Sequence, residues 1–187
     1  MISGLLFLAF AYFMVGQAAF TRNGAQTAAD AAALAAAQDA RDQLRRGWFE
    51  VIRDPDQWGD FVQGTEYKHS LACDAAADYA AANHATLPDG DCQPLEPNGF
   101  RVTVTTTGAQ EARASALAVI EQRCDFTPYE PPTDPPSPPP TSPPTDPDEE
   151  PSPIAELDCG GESWEIDPDD PELPPSSALF TVRLIDE

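Results

Sequence analysis

The sequence predicts an α+β protein: a long N-terminal transmembrane and alanine-rich helix, followed by a small disulfide-stapled domain with a short antiparallel sheet. Three observations predict it. Residues 1–46 run without a proline, first almost wholly apolar and then dominated by alanine, the best helix former. FRVTVTTT at Phe100–Thr107 alternates and is β-branched, as a half-buried strand requires. Cys73, Cys92, Cys124 and Cys159 are even in number, widely spaced and free of any CxxC pair, the pattern of a disulfide framework.

The first element, Met1–Phe20, reads MISGLLFLAFAYFMVGQAAF and is apolar apart from Ser3 and Gln17. About 20 residues at ~1.5 Å each reach ~30 Å, the thickness of a bilayer core, so residues 1–20 are expected to be a membrane anchor. A buried core helix, which would be unusually apolar on all sides, is one competing reading, and a cleaved signal peptide is the other. It needs a basic leading segment, which is missing, although small residues at Ala18 and Ala19 suit a cleavage site. Nothing basic precedes the span and Arg22 follows it, so the positive-inside rule taken alone would put the remainder in the cytoplasm. The cysteines and the proline-rich segment argue for export, and the expectation is a basic stretch upstream of Met1.

Residues 21–53 are expected to continue the helix. Gly24, Ala28, Ala32, Ala36 and Ala40 recur every fourth position and make a stripe of small side chains. Such a stripe lets a second helix approach closely, either from another subunit or from the chain's own domain. Arg41, Arg45 and Arg46 suit the C-terminal end of the helix dipole, and a stop is expected near Asp54-Pro55.

Residues 54–127 and 154–187 are expected to form the small domain. Trp48, Phe49, Trp58 and Phe61 are candidate core or capping residues. Tyr67–Ala85 has helical spacing, with Leu71, Ala75, Tyr79 and Ala82 on the apolar positions; His69 and His84 are expected to be surface polar groups. Leu87–Asp91, LPDGD, is a turn. Glu111–Phe126 reads either as helix or as a strand with a helical end. Two further strands are expected at Glu162–Asp167 and Ala178–Glu187, the latter with Phe180, Val182 and Leu184 facing inward.

Residues 128–153 are about half proline, with acids and hydroxyls between, and read as an extended, disordered insertion. Of the three connectivities open to four cysteines, the sequential one is preferred: Cys73 to Cys92, and Cys124 to Cys159 across the insertion. Each loop, roughly 20 to 35 residues, would contribute ~3–4 kcal/mol in the chain-entropy model.

The formal charge is −22, and no Lys or Arg lies between Arg123 and Arg183. Such a polyanion repels nucleic acid and an anionic lipid surface. No EF-hand or zinc spacing occurs, so no metal is assigned. No GxSxG elbow or phosphate loop occurs either, and the paired acids lie where no apolar pocket could raise a pKa. Neither a catalytic residue nor a cofactor is assigned, and the protein reads as a non-enzyme.

The segment RNGAQTAADAAALAAAQDARD at Arg22–Asp42 resembles the stretch behind the single N-terminal span of TadE/TadG-like proteins of the tight-adherence (Flp-type) pilus system, actinobacterial type. The positions that carry the resemblance are Arg22, Gln26 and the run from Ala28 to Ala37. It implies a non-enzymatic, minor pilin-like component of the pilus or of its assembly machinery. It further implies contacts with other pilus or assembly subunits through the N-terminal helix, self-association or a filament, and a single-pass cell-membrane protein with its C-terminal domain extracellular. Pilins carry a glutamate five residues after the processing glycine; five residues after Gly4 stands Ala9. The alternative function is a generic anchored cell-surface binding module with a proline-rich spacer.

Overall fold

The computed structural model describes residues 2–54, 57–108, 110–128, 155–167 and 170–186. Helix α1, Ile2–Glu50, is one unbroken helix of 49 residues, ~70 Å long at the usual rise. It is followed by α2 (Gly59–Val62), α3 (His69–Ala82), β1 (Ala85–Thr86), β2 (Cys92–Pro94), β3 (Gly99–Thr106) and β4 (Arg113–Gln122). Then come β5 (Cys124–Pro128), β6 (Ala155–Cys159), β7 (Ser163–Ile166), α4 (Ser176–Leu179) and β8 (Phe180–Ile185). The α+β class is the one the sequence predicts.

The main sheet is antiparallel in the order β1-β3-β4-β8, with β2 sharing the outer edge of β3 beside β1. Phe100, Val102 and Val104 alternate along β3 with no exposed area, and Ala116, Ala118 and Ile120 do the same job on β4. The C-terminal half of α1 packs against β3, β4 and β8, and α3 packs against α1. Ala28, Ala32, Ala36 and Ala40 are fully buried, so the small-residue stripe, Gly24 apart, is covered by the chain's own domain.

On α3 the face turned inward is Ala72, Ala76 and Ala80, all fully buried. Leu71 and Tyr79, which mark the apolar positions of the sequence pattern, are instead about half exposed. Closeness decides this: alanine opposite an alanine-rich helix lets the two axes approach, whereas Leu or Tyr would hold them apart. Leaving α1, the chain turns on hydrogen bonds from Val51 N to Trp48 O and from Asp54 N to Val51 O. Trp48 and Trp58 stack edge to face with centroids 5.5 Å apart, and the indole of Trp58 donates to Val51 O at 3.1 Å. Phe49, on the opposite side of that last turn, is exposed.

Glu111–Phe126 carries no helix; it is strand β4, then the start of β5. Alanine favours helix, but β4 lies between β3 and β8, pairing Val102 with Ala116 and Val182 with Ile120. A helix there would remove the centre of the sheet, so tertiary pairing overrides local propensity. The crossing is tight: a Cβ on Gly99 would collide with the Ala118 carbonyl oxygen. In β8, Phe180 is buried and Val182 half-buried, but Leu184 is exposed, because β8 is the edge strand with a neighbour on one side only.

A second sheet, in the order β5-β6-β7, sits at the far end of the domain, with β5 next to α2. Its ladder pairs Cys124 with Cys159 and ends at Pro128 opposite Ala155. The proline-rich insertion assigned to 128–153 lies, beyond Pro128, outside the described residues. After β7 a short strap crosses α1, held by the Arg45 guanidinium donating to Pro174 O at 2.8 Å and Leu173 O at 3.2 Å. Ser176 Oγ lies 2.7 Å from Asp42 Oδ1 beside it.

Candidate functional site

The feature that sets this molecule apart is the change along α1. From Ser3 to Gly24 its side chains are exposed, with partial cover only at Ala11 and Thr21. Leu5 is 69% and Phe20 81% exposed, and at Ala25 the value falls to 1%. The segment is long and apolar enough to cross a membrane, and none of its apolar window is buried in the domain. A core helix of the same composition would be covered. A bare apolar helix of this size in water would cost about 25 cal/mol for each Å² of apolar surface, so it requires an apolar surrounding.

Where α1 enters the domain, the tip of the β3–β4 hairpin and the end of α3 meet it. Thr107 ties these two together, its amide and hydroxyl both donating to His84 O at 2.8 and 3.0 Å. His84 takes a positive φ of 57° in the turn out of α3, and Gly108, at φ 139°, shapes the hairpin tip. Thr21 Oγ1 lies 3.4 Å from Gln110 Oε1, and Gln26 Nε2 donates to Ser115 O at 3.3 Å and Asp30 Oδ1 at 2.8 Å. Two open grooves flank the junction. One, about 520 Å³, runs down the bare helix past Phe20, Gly16, Phe13 and Tyr12 under Gln110. The other, about 360 Å³, lies between Gly24 and the polar groups of Asn83, His84, Thr107 and Gln110.

The disulfides Cys73–Cys92 and Cys124–Cys159 are both formed. The first joins α3 to β2; the second bridges two strands that flank the insertion. His69 and His84 are exposed, with the His69 ring edge-on to Tyr67 at 4.9 Å. Burial, reinforced by Glu96 and opposed by a backbone hydrogen bond at Gly99, pushes the Tyr67 hydroxyl above its ordinary range. Glu121 sits below the ordinary carboxylate range because the Arg183 guanidinium hydrogen-bonds it, with contacts of 2.5 and 3.0 Å. Neither arrangement builds a reactive centre: Glu121 and Arg183 pair on the open surface of the sheet, outside both grooves. Among the described residues no group of three metal-ligating side chains comes together.

Sequence reasoning missed strand β6, the polar rim around the helix exit and the two shortest strands, β1 and β2. The latter two are two and three residues long, too short for periodicity to reveal. The rim is assembled from residues 20, 21, 24, 83, 84, 106, 107, 108 and 110, which only the fold brings together. No curated protein and no solved structure matches the chain. Residues 1–39, the bare helix and the first buried turns behind it, match the model of the Flp pilus-assembly TadE/G-like family, so the similarity to that family is carried by this N-terminal segment.

Proposed function

We propose that the protein is a non-enzymatic, minor pilin-like component of an Flp-type pilus or of its assembly machinery. It is anchored once in the cell membrane by residues 1–20 and presents the domain on the outer side. The observation that carries this reading is the continuity of α1: a single rigid helix is bare and apolar for its first half and locked into a disulfide-bonded domain by its second. A helix of that build transmits the position of the membrane segment directly to the domain, with no hinge between them. Disulfides also favour an oxidising compartment for the domain.

Contacts with other pilus or assembly subunits, or with further copies of the chain, then fall on residues 3–24, because Ala28, Ala32, Ala36 and Ala40 are already covered. The test replaces residues 2–20 with an unrelated apolar span of equal length in cells that make the pilus. Loss of co-purification with the other pilus components, with the protein still in the membrane, is the expected result. Retained co-purification would move recognition to the outer domain and favour an anchored cell-surface binding module.

A further inference from the structure

We propose that the end of the domain from which α1 emerges is a phospholipid-contacting surface, on which the domain rests directly on the headgroup layer. The inference depends on residues 1–20 spanning the membrane, and adds the partner of a second surface. At the exit the chemistry changes over one helical turn. Below it lie Tyr12, Phe13, Gly16 and Phe20, which line an apolar groove beside the span. Above it stand uncharged hydrogen-bonding groups, Thr21, Asn83, Thr107 and Gln110, with Arg22 and His84 beside them. An apolar groove capped by amides and hydroxyls fits an acyl chain below and a phosphate or ester group above. Amphipathic side chains settle at this interface in membrane proteins.

The charge of −22 argues against a lipid surface only if the acids lie close to it. They do so least in the C-terminal acidic stretch. Asp170 and Glu172 belong to the strap that Arg45 holds through Leu173 and Pro174, and Asp158, Glu162 and Glu165 belong to the second sheet at the same end. Arg45 lies 25 residues along α1 from Phe20, ~37 Å at the helical rise. Screening in physiological salt falls off over ~8 Å, so this stretch acts on the bilayer through several screening lengths. Nearer the exit stand Asp30 on α1, Asp78 on α3, Glu111 beside Gln110, and Asp89 and Asp91, with Asp91 paired to Arg113 at 2.7 Å. The foot thus mixes these acids with Arg22 and Arg113, which suits a zwitterionic headgroup layer rather than an anionic one.

The test uses the full chain in phosphatidylcholine nanodiscs containing a lipid with a nitroxide on its headgroup. A fluorophore is attached at Gln110→Cys, at Asn83→Cys or, as the remote control, at Ser177→Cys, using only material whose two native disulfides are intact by mass. The expected result is loss of fluorescence at positions 110 and 83 and unchanged fluorescence at 177. Equal fluorescence at all three sites, quenched or unquenched, in chain that co-elutes with the discs would overturn the proposal while leaving the anchor in place. It would show a domain lying on its side, or one held off the bilayer with its foot free for a partner helix. Failure to enter the discs would remove both the anchor and the foot.

Discussion

The two halves of α1 share one backbone and one helical geometry but obey opposite rules of side-chain size. In the bare half, Leu5, Phe7, Phe10, Phe13 and Phe20 project freely, and bulk is no obstacle because no fixed backbone of the domain faces them. In the covered half nearly every inward position is alanine, and Ala28, Ala29, Ala32, Ala33, Ala36, Ala37 and Ala40 are buried to 5% exposure or less. There the neighbours are a helix and a sheet with fixed backbones, so bulk is excluded. The boundary falls between Gly24 and Ala25, where the surrounding medium changes.

Two experiments press on this contrast, and a third on the sheet that covers the second half. The largest effect is expected from Phe10→Arg, which places a charge near the middle of the span. Insertion should weaken by about 2.5–3.5 kcal/mol, read as protein lost from the carbonate-resistant membrane fraction, while thermal unfolding of the domain stays unchanged. A fall in domain stability of similar size would mean that the bare half packs on the domain after all. Next comes Ala32→Leu, in the covered half. Over-packing should cost ~1–3 kcal/mol by denaturant unfolding in detergent, with membrane retention intact; Ala18→Leu, the same change at an exposed position of the bare half, should cost neither.

The smallest effect concerns the surface of the sheet. The folded pKa of Glu121 is lowered by Arg183, so the pair stabilises the fold above the ordinary glutamate pKa and ceases to do so as pH falls through the lowered value. Arg183, whose own pKa is raised, stays charged throughout. The melting temperature of Glu121→Gln should therefore sit slightly below that of the parent at pH 7 and coincide with it in acid; a gap that widened in acid would reverse the sign of the interaction. Exposed pairs of this kind contribute little, which is why it ranks last.

Much of the first 50 residues was legible as helix, because a long apolar run and a fourfold spacing of small residues are signals confined to one element. Gly24 is the instructive member of that stripe: it fits the spacing yet lies on the bare side, with nothing within 4 Å of where a Cβ would be. In α3 the same signal misled. Leu71 and Tyr79 outweigh alanine in any hydropathy pattern, but the buried face was chosen by fit to α1, and Ala72, Ala76 and Ala80 fit. β4 was ambiguous for a related reason, since RASALAVIEQ offers helix-forming alanines and β-branched Val119 and Ile120 together.

By itself the sequence determined the long helix, its apolar half, the strand at Phe100–Thr107 and a cysteine set suited to two bridges. Each is encoded within a local run by side-chain period, composition or count. Only the tertiary structure decided that β8, arriving from beyond the insertion, closes the main sheet beside β4, and that residues 21, 84, 107 and 110 meet at the helix exit. Strand neighbours and surface patches depend on which distant backbone amides find one another. That choice is made by the packing of the whole core around α1, and no stretch of sequence holds it alone.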